Sequence, residues 1–256
     1  MGLEYRNVTK QFLTNDGTVL TAVNQVSFHI AEGEFVSVVG PSGCGKSTIL
    51  SMTAGLYQPT TGEVLLNGEL VTAPNSKVGF MLQKDLLLPW RNIITNIEFG
   101  LEARGVSKAE RRERALSELK HCHLAGFENH YPYQLSGGMR QRAALARTLA
   151  IDPAIVLLDE PFSALDAQTK MLLQNSFAST IKETAKTTLL ITHDLSEAVL
   201  MSDRILVLSE RPGTVIAEIK VDLPHRERPL ERRKLAEVND YAAELFQLLK
   251  LEEKAA

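Results

Sequence analysis

The chain has 256 residues, 44% of them apolar and 23% charged, and a formal net charge of −3. That composition can bury one large core, or a core with an inserted subdomain, and it excludes disorder and low complexity. Charges of both signs are interspersed, which excludes the basic footprint of a nucleic-acid binder, and no apolar run approaches the roughly 20 residues that span a bilayer. The first residues, including Glu4 and Asn7, form no apolar secretion stretch, so the chain is expected to stay in the cytoplasm. Its two cysteines, Cys44 and Cys122, cannot build a disulfide framework and suit a reducing compartment. His121 and His123 stand at i and i+2, which diverge by about 200° on a helix, so they read as a helix end rather than a metal site.

Along the chain, Val26, Phe28 and Ile30 alternate with Ser27 and His29, and Val64-Leu65-Leu66 runs into the hairpin signal Asn67-Gly68. Both predict antiparallel sheet near the N-terminus. Between them lies the continuous apolar run of residues 35–39, followed by a glycine-rich loop and a helical stretch over residues 48–54 that Gly55 ends. The strand signal then disappears from residue 84 to about 150, where Ser107 and Glu110 form a capping-box pattern ahead of a helix over 108–120, and an Ala-rich helix is expected over 139–150. Further continuous apolar runs at 155–158, 189–191 and 205–208 predict parallel strands covered by helices on both faces. Residues 225–229 read as a linker, after which Leu235, Val238, Ala242, Leu245 and Leu249 recur at helical spacing, predicting an amphipathic helix packed on its own domain. The expected fold is α/β, with residues 1–83 and 151–223 as core and antiparallel layer, 84–150 as an inserted helical subdomain, and 224–256 as linker and C-terminal helix.

Gly40-Pro41-Ser42-Gly43-Cys44-Gly45-Lys46-Ser47, followed by Thr48, fits the P-loop pattern and lies between an apolar strand and a helix, as that pattern requires. Its glycines let backbone N–H groups wrap phosphates, Lys46 adds a charge at the β/γ oxygens, and Ser47 offers an oxygen to Mg²⁺. A second acidic strand end is needed for the metal, and Asp159 supplies it. Glu160, one position further, is the candidate general base, the alternative being a residue that merely begins the next loop.

Leu135-Ser136-Gly137-Gly138-Met139-Arg140-Gln141-Arg142 resembles the signature sequence of ABC ATPases. The resemblance covers nearly the whole chain in the family's order: P-loop, Gln83, signature, Asp159-Glu160, Ser163-Ala164-Leu165-Asp166 and His193. It implies that Ser136, Gly137 and Gly138 hold the ATP of a second subunit in a head-to-tail dimer, identical or related. It further implies that His193 contacts the γ-phosphate, that Gln83 serves the Mg²⁺ and the attacking water, and that Asp166 couples the two sites. A helix N-cap is the alternative for Asp166. Phe12 resembles the aromatic that stacks on adenine, with a place in the strand's core as the alternative. The stretch from Leu86 to Trp90 resembles the region that docks membrane subunits, the alternative being burial in the insertion. Leu88-Pro89-Trp90, Tyr131-Pro132 and Arg211-Pro212-Gly213 look like the nitrate, sulfonate and taurine branch of importers, while Tyr133 and Lys170 depart from its usual residues. The implied activity is transport-coupled ATP hydrolysis at the cytoplasmic face of the inner membrane. Two transmembrane permease subunits, an extracytoplasmic solute-binding protein and no nucleic acid are its expected partners. The alternative is a soluble, non-transport ABC ATPase.

Overall fold

Alternating apolar residues at the start of the chain build an antiparallel ribbon, β1 (Gly2–Leu13) with β2 (Val19–Ala31), in the computed structural model, which describes residues 2–163 and 165–249. Leu3, Tyr5 and Val8 of β1 and Val26, Phe28 and Ile30 of β2 are all buried. The strand β3 (Phe35–Val39) follows, then α1 (Lys46–Thr53), β4 (Thr61–Leu66), β5 (Glu69–Leu70) and β6 (Val78–Met81). Asn67 and Gly68, with φ of 55° and 82°, make the β4–β5 turn, as an Asn-Gly pair should. The first sheet has the order β2-β1-β4-β5.

After β6 come three helices, α2 (Ile93–Ala103), α3 (Lys108–His121) and α4 (Gly137–Ala150), before the chain returns as β7 (Ile155–Asp159) beside β6. The helical stretch therefore interrupts two neighbouring parallel strands. Ser107 caps α3 by accepting the Glu110 N–H at 3.3 Å. Then follow α5 (Ala167–Glu183), β8 (Thr187–Ile191), α6 (Leu195–Met201), β9 (Arg204–Leu208), β10 (Val215–Lys220), α7 (Pro229–Arg232) and α8 (Glu237–Leu248). The second sheet has the order β10-β9-β3-β8-β7-β6, parallel from β9 to β6.

The continuous apolar runs are explained by two cores. In β3, Val36 and Val38 pack toward α1 and the antiparallel sheet, whereas Phe35 and Val39 join the core of the helical side. Every residue of such a strand is covered, so no polar alternation survives.

Residues 225–229, read as a linker, are pinned to the core: Arg226 Nε lies 3.1 Å from Asp203 Oδ1, and its guanidinium sits over the Phe35 ring. Arg232 is buried nearby, and its Nη1 donates to the carbonyls of Val199, Leu200 and Ser202 at 3.0, 3.3 and 2.9 Å. It thus satisfies the open carbonyl end of α6. The charges that clamp this linker come from elsewhere in the chain, so its own residues did not announce the contact. Beyond it, α8 buries Val238 and Leu245 against α6. Residues 250–256 of the expected C-terminal part, and Ala164, lie outside the described residues.

Candidate functional site

The loop after β3 wraps tightly because its last glycine can do what no other residue can. Gly45 has φ of 103°, and a Cβ there would stand 2.5 Å from Val23 Cγ1 and 2.8 Å from the Ala22 carbonyl. It is the N-cap of α1 and brings no side-chain acceptor to that helix, so the first N–H groups are left open to a ligand. They face a cavity of about 340 Å³ lined by Ser42, Gly43, Gly45, Lys46, Ser47 and Thr48, with Phe12, Leu20 and Ala22 from the antiparallel layer and Glu160 and Arg211 from strand ends. Gly40, Pro41 and Cys44 of the same loop are not part of this lining. Lys46 donates from Nζ to the carbonyls of Gly40 and Pro41 at 2.8 and 2.9 Å, and the Cys44 thiol, raised by burial, is 3.8 Å from the same ammonium. Phe12 presents its ring edge-on to Tyr57 at 5.3 Å, with the Lys10 ammonium 5.0 Å from its centroid.

Parallel pairing of β7 with β8 brings the acidic residues to the cavity. Asp159 pairs in register with Ile191, two residues before His193. Burial first, then the neighbouring Glu160 charge, raises the Asp159 carboxyl, while Lys46 and a hydrogen bond with the Ser47 side chain oppose the shift. Ser47 and Asp159 therefore form an adjacent pair of oxygen donors, which suits a hard divalent cation. Glu160 adopts φ of 46°, an uncommon value for a non-glycine residue, and its N–H donates to the Ile191 carbonyl at 2.9 Å. That left-handed turn carries its carboxylate to 3.0 Å from His193 Nδ1, and the His193 side chain is 61% exposed.

Gln83, two residues beyond β6, does not line the cavity. Its amide donates to Ser163 Oγ at 3.0 Å, and Ser163 in turn donates to the Glu160 carbonyl at 2.9 Å. The Gln83 carbonyl accepts from Gln141 of α4 at 3.1 Å, so the residue links the insertion to the Glu160 turn. Ser136 caps α4, accepting the Met139 N–H at 3.3 Å. The helix thus begins at Gly137, two residues before the expected start. Ser136, Gly137 and Gly138 are also absent from the cavity lining, and Gly137 lines a second groove with Gln83 and Leu165. Asp166 is the N-cap of α5, accepting the Thr169 N–H at 3.0 Å, and that bond holds its carboxyl below the usual range.

Residues 23–163 match the family model described as ABC transporter. The chain belongs to the ABC transporter family. Over 248 residues it is 47% identical to an uncharacterized ABC transporter ATP-binding protein, MJ0412, of Methanocaldococcus jannaschii, covering 97% of this chain and 91% of the relative. It is 46% identical over 205 residues to the taurine import ATP-binding protein TauB of Yersinia pestis bv. Antiqua, covering 80% of each. A solved dimeric structure of the ATP-binding cassette MJ0796, in a post-hydrolysis state bound to ADP and Pi, matches with a TM-score of 0.73 and 37% identity, over 86% of this chain and 98% of that one.

As an ABC ATP-binding subunit, the chain binds nucleotide, hydrolyses ATP and dimerises. None of its described helices is long and apolar enough to cross a membrane. Arg211 is a cavity-lining residue that sequence reasoning passed over, noting its tripeptide only as a family mark. The signal was Gly213, two residues on, whose N–H donates to the Ala22 carbonyl at 3.0 Å and whose Cβ, if it had one, would meet the Cys44 carbonyl at 2.0 Å. Only glycine lets the β9–β10 turn lie this close to the P-loop of the ABC subunit. The stretch from Leu86 to Trp90 divides: Leu87 is buried in the core, while Leu86 and Trp90 are exposed, Trp90 at 72%. Tyr133 is exposed too, stacked on Tyr131 with centroids 5.8 Å apart.

Proposed function

We propose that this ABC subunit energises an importer for a small anionic or polar organic solute, of the nitrate, sulfonate or taurine kind. It would work at the cytoplasmic face of the inner membrane, as one of two identical or related ATPases on two transmembrane permease subunits fed by an extracytoplasmic solute-binding protein. The similarity to TauB supports the branch. In this reading residues 1–83 and 151–223 form the RecA-like nucleotide core and residues 84–150 an inserted arm. Residues 224–256 pack on the core as far as they are described.

The observation that carries hydrolysis is the Glu160 carboxylate, 3.0 Å from His193 Nδ1 at a cavity whose lining is largely P-loop. Phe12 stacks on the adenine, and the P-loop N–H groups with Lys46 hold the phosphates. Ser47 and Asp159 would hold Mg²⁺, and a cation held there would supply neutralisation of the phosphate charge. Gln83 reaches that region only after its amide leaves Ser163. Glu160 takes the proton of the attacking water, oriented by a hydrogen bond from His193 Nδ1–H, as the bond from the γ-phosphorus to the ADP oxygen breaks. Ser136, Gly137 and Gly138, outside this cavity, serve the nucleotide of the opposite subunit, with Asp166 at the junction. The exposed Leu86 and Trp90 dock the permease.

Phosphate release by the purified subunit tests the central assignment. Glu160→Gln is expected to bind ATP with unchanged affinity while turnover falls by roughly 10²–10⁴, because general-base help is lost and the cradle remains. Turnover near that of the wild type would overturn Glu160 as the base.

A further inference from the structure

Behind His193 lies a half-buried charged cluster that the hydrolytic reading does not use. Lys170 of α5 reaches to the turn after β8, with Nζ 2.9 Å from Asp194 Oδ2 and 3.1 Å from Glu197 Oε2. Asp194 Oδ1 accepts the Glu197 N–H at 3.0 Å and so caps α6. Thr192 completes the ring: its hydroxyl donates to Glu197 Oε2 at 3.1 Å and accepts the Asp194 N–H at 3.0 Å. Both neighbours of His193 are therefore fixed through the cluster. His193 itself points the other way, to Glu160.

The far end of the connection is Asp166. Lys170 stands one helical turn after it, and the Lys170 N–H donates to the Asp166 carbonyl at 2.9 Å. A single rigid turn of α5 thus joins the exposed cap to the ammonium that grips the His193 turn. Glu197 is only 3% exposed, and taking such charges out of water largely cancels what their attraction returns. An apolar contact would stabilise the fold as well; a short ion-pair cluster instead fixes a position.

We propose that Lys170 is a positioning residue that ties the Asp166 end of α5 to the His193 turn, so that movement of that end alters the His193–Glu160 contact. The proposal rests on the reading of Glu160 and His193 as the hydrolytic pair. A subunit pressing on the exposed Asp166 loop displaces the first turn of α5, and Lys170 carries the displacement to residues 192–194. Hydrolysis then becomes conditional on the state of that loop.

The test compares Lys170→Arg with the double variant Lys170→Met/Glu197→Gln, which removes both charges together and leaves no buried ammonium or Glu197 carboxylate unpaired. The double variant is expected to keep the wild-type ATP Kd while kcat falls about 10- to 100-fold, the loss typical of a misplaced reacting group. Lys170→Arg, which preserves the pairing, keeps kcat within about threefold. Asp166→Ala lowers kcat in the wild-type background and adds no further loss in the double variant, since coupled residues are not additive. Wild-type kcat in the double variant, or additive losses with Asp166→Ala, would overturn the coupling while Glu160→Gln stays inactive. Full turnover by Glu160→Gln would instead remove the reading on which it rests.

Discussion

Two helices of this chain begin with backbone N–H groups that can face a phosphate, and they begin differently. At α1 the N-cap is Gly45, which supplies no side-chain acceptor, and the helix start opens into a cavity shared with Phe12, Glu160 and Arg211. At α4 the N-cap is Ser136, whose exposed side chain already accepts the Met139 N–H, and no residue of the nucleotide cavity faces it. The first start is complete within one subunit. The second is partly satisfied by its own serine, which suits its proposed role as a surface that meets its ligand only when a second subunit brings it.

Lys46→Ala strikes at the complete site and has the largest expected effect. ATP affinity should fall about 100-fold, measured by calorimetry on the isolated subunit, because a charge-assisted contact is lost from an otherwise intact cradle. Ser136→Ala sharpens the contrast: the isolated subunit should bind ATP unchanged, while steady-state turnover drops about tenfold through weaker dimer closure. An equal loss of ATP affinity in the isolated Ser136 variant would erase the distinction between the two helix starts.

A third helix start, that of α6, supplies the smallest effect. There the cap is Asp194, whose carboxyl burial would raise, but its hydrogen bonds with Lys170 and with the α6 N–H groups bring it below its usual value. Glu197 behaves oppositely, because burial outweighs the Lys170 attraction and pushes its carboxyl up from 4.5 to about 7. A raised carboxyl favours the folded state while protonated, so this contribution is full below about pH 4.5 and is lost as pH rises through about 7. Thermal unfolding of the wild type should therefore weaken over that interval relative to Glu197→Gln, by about 3 °C in midpoint. Parallel pH profiles for the two proteins would show that Glu197 does not titrate there.

Local pattern carried much of this molecule. A P-loop needs its glycines, lysine and serine consecutively, and Asp159, Glu160 and His193 stand at or just past the ends of apolar runs, so residue order alone marked them. The same holds for the buried strands and for α3, whose cap lies beside it in the chain. Other elements left no such trace. The short β6 contains Gly79, and half-exposed β10 mixes Ile216 with Glu218, so neither stood out as a strand. The pairings of Arg226, Arg232 and Lys170 were not legible because their partners, Asp203, the α6 carbonyls and Asp194, are from 23 to 33 residues away.

What the sequence determined by itself was every feature whose physics is settled within a few residues: the phosphate loop, the helix caps, the Asn-Gly turn and the runs that must be buried on both faces. What only the tertiary structure decided was the meeting of distant groups. The parallel register of β7 and β8 sets Glu160 against His193, the approach of Gly213 to the P-loop admits Arg211, and the packing of α5 on the β8–α6 turn pairs Lys170 with Asp194. Such contacts arise from the packing of whole elements, and single-residue propensities hold no record of which distant charges that packing brings together.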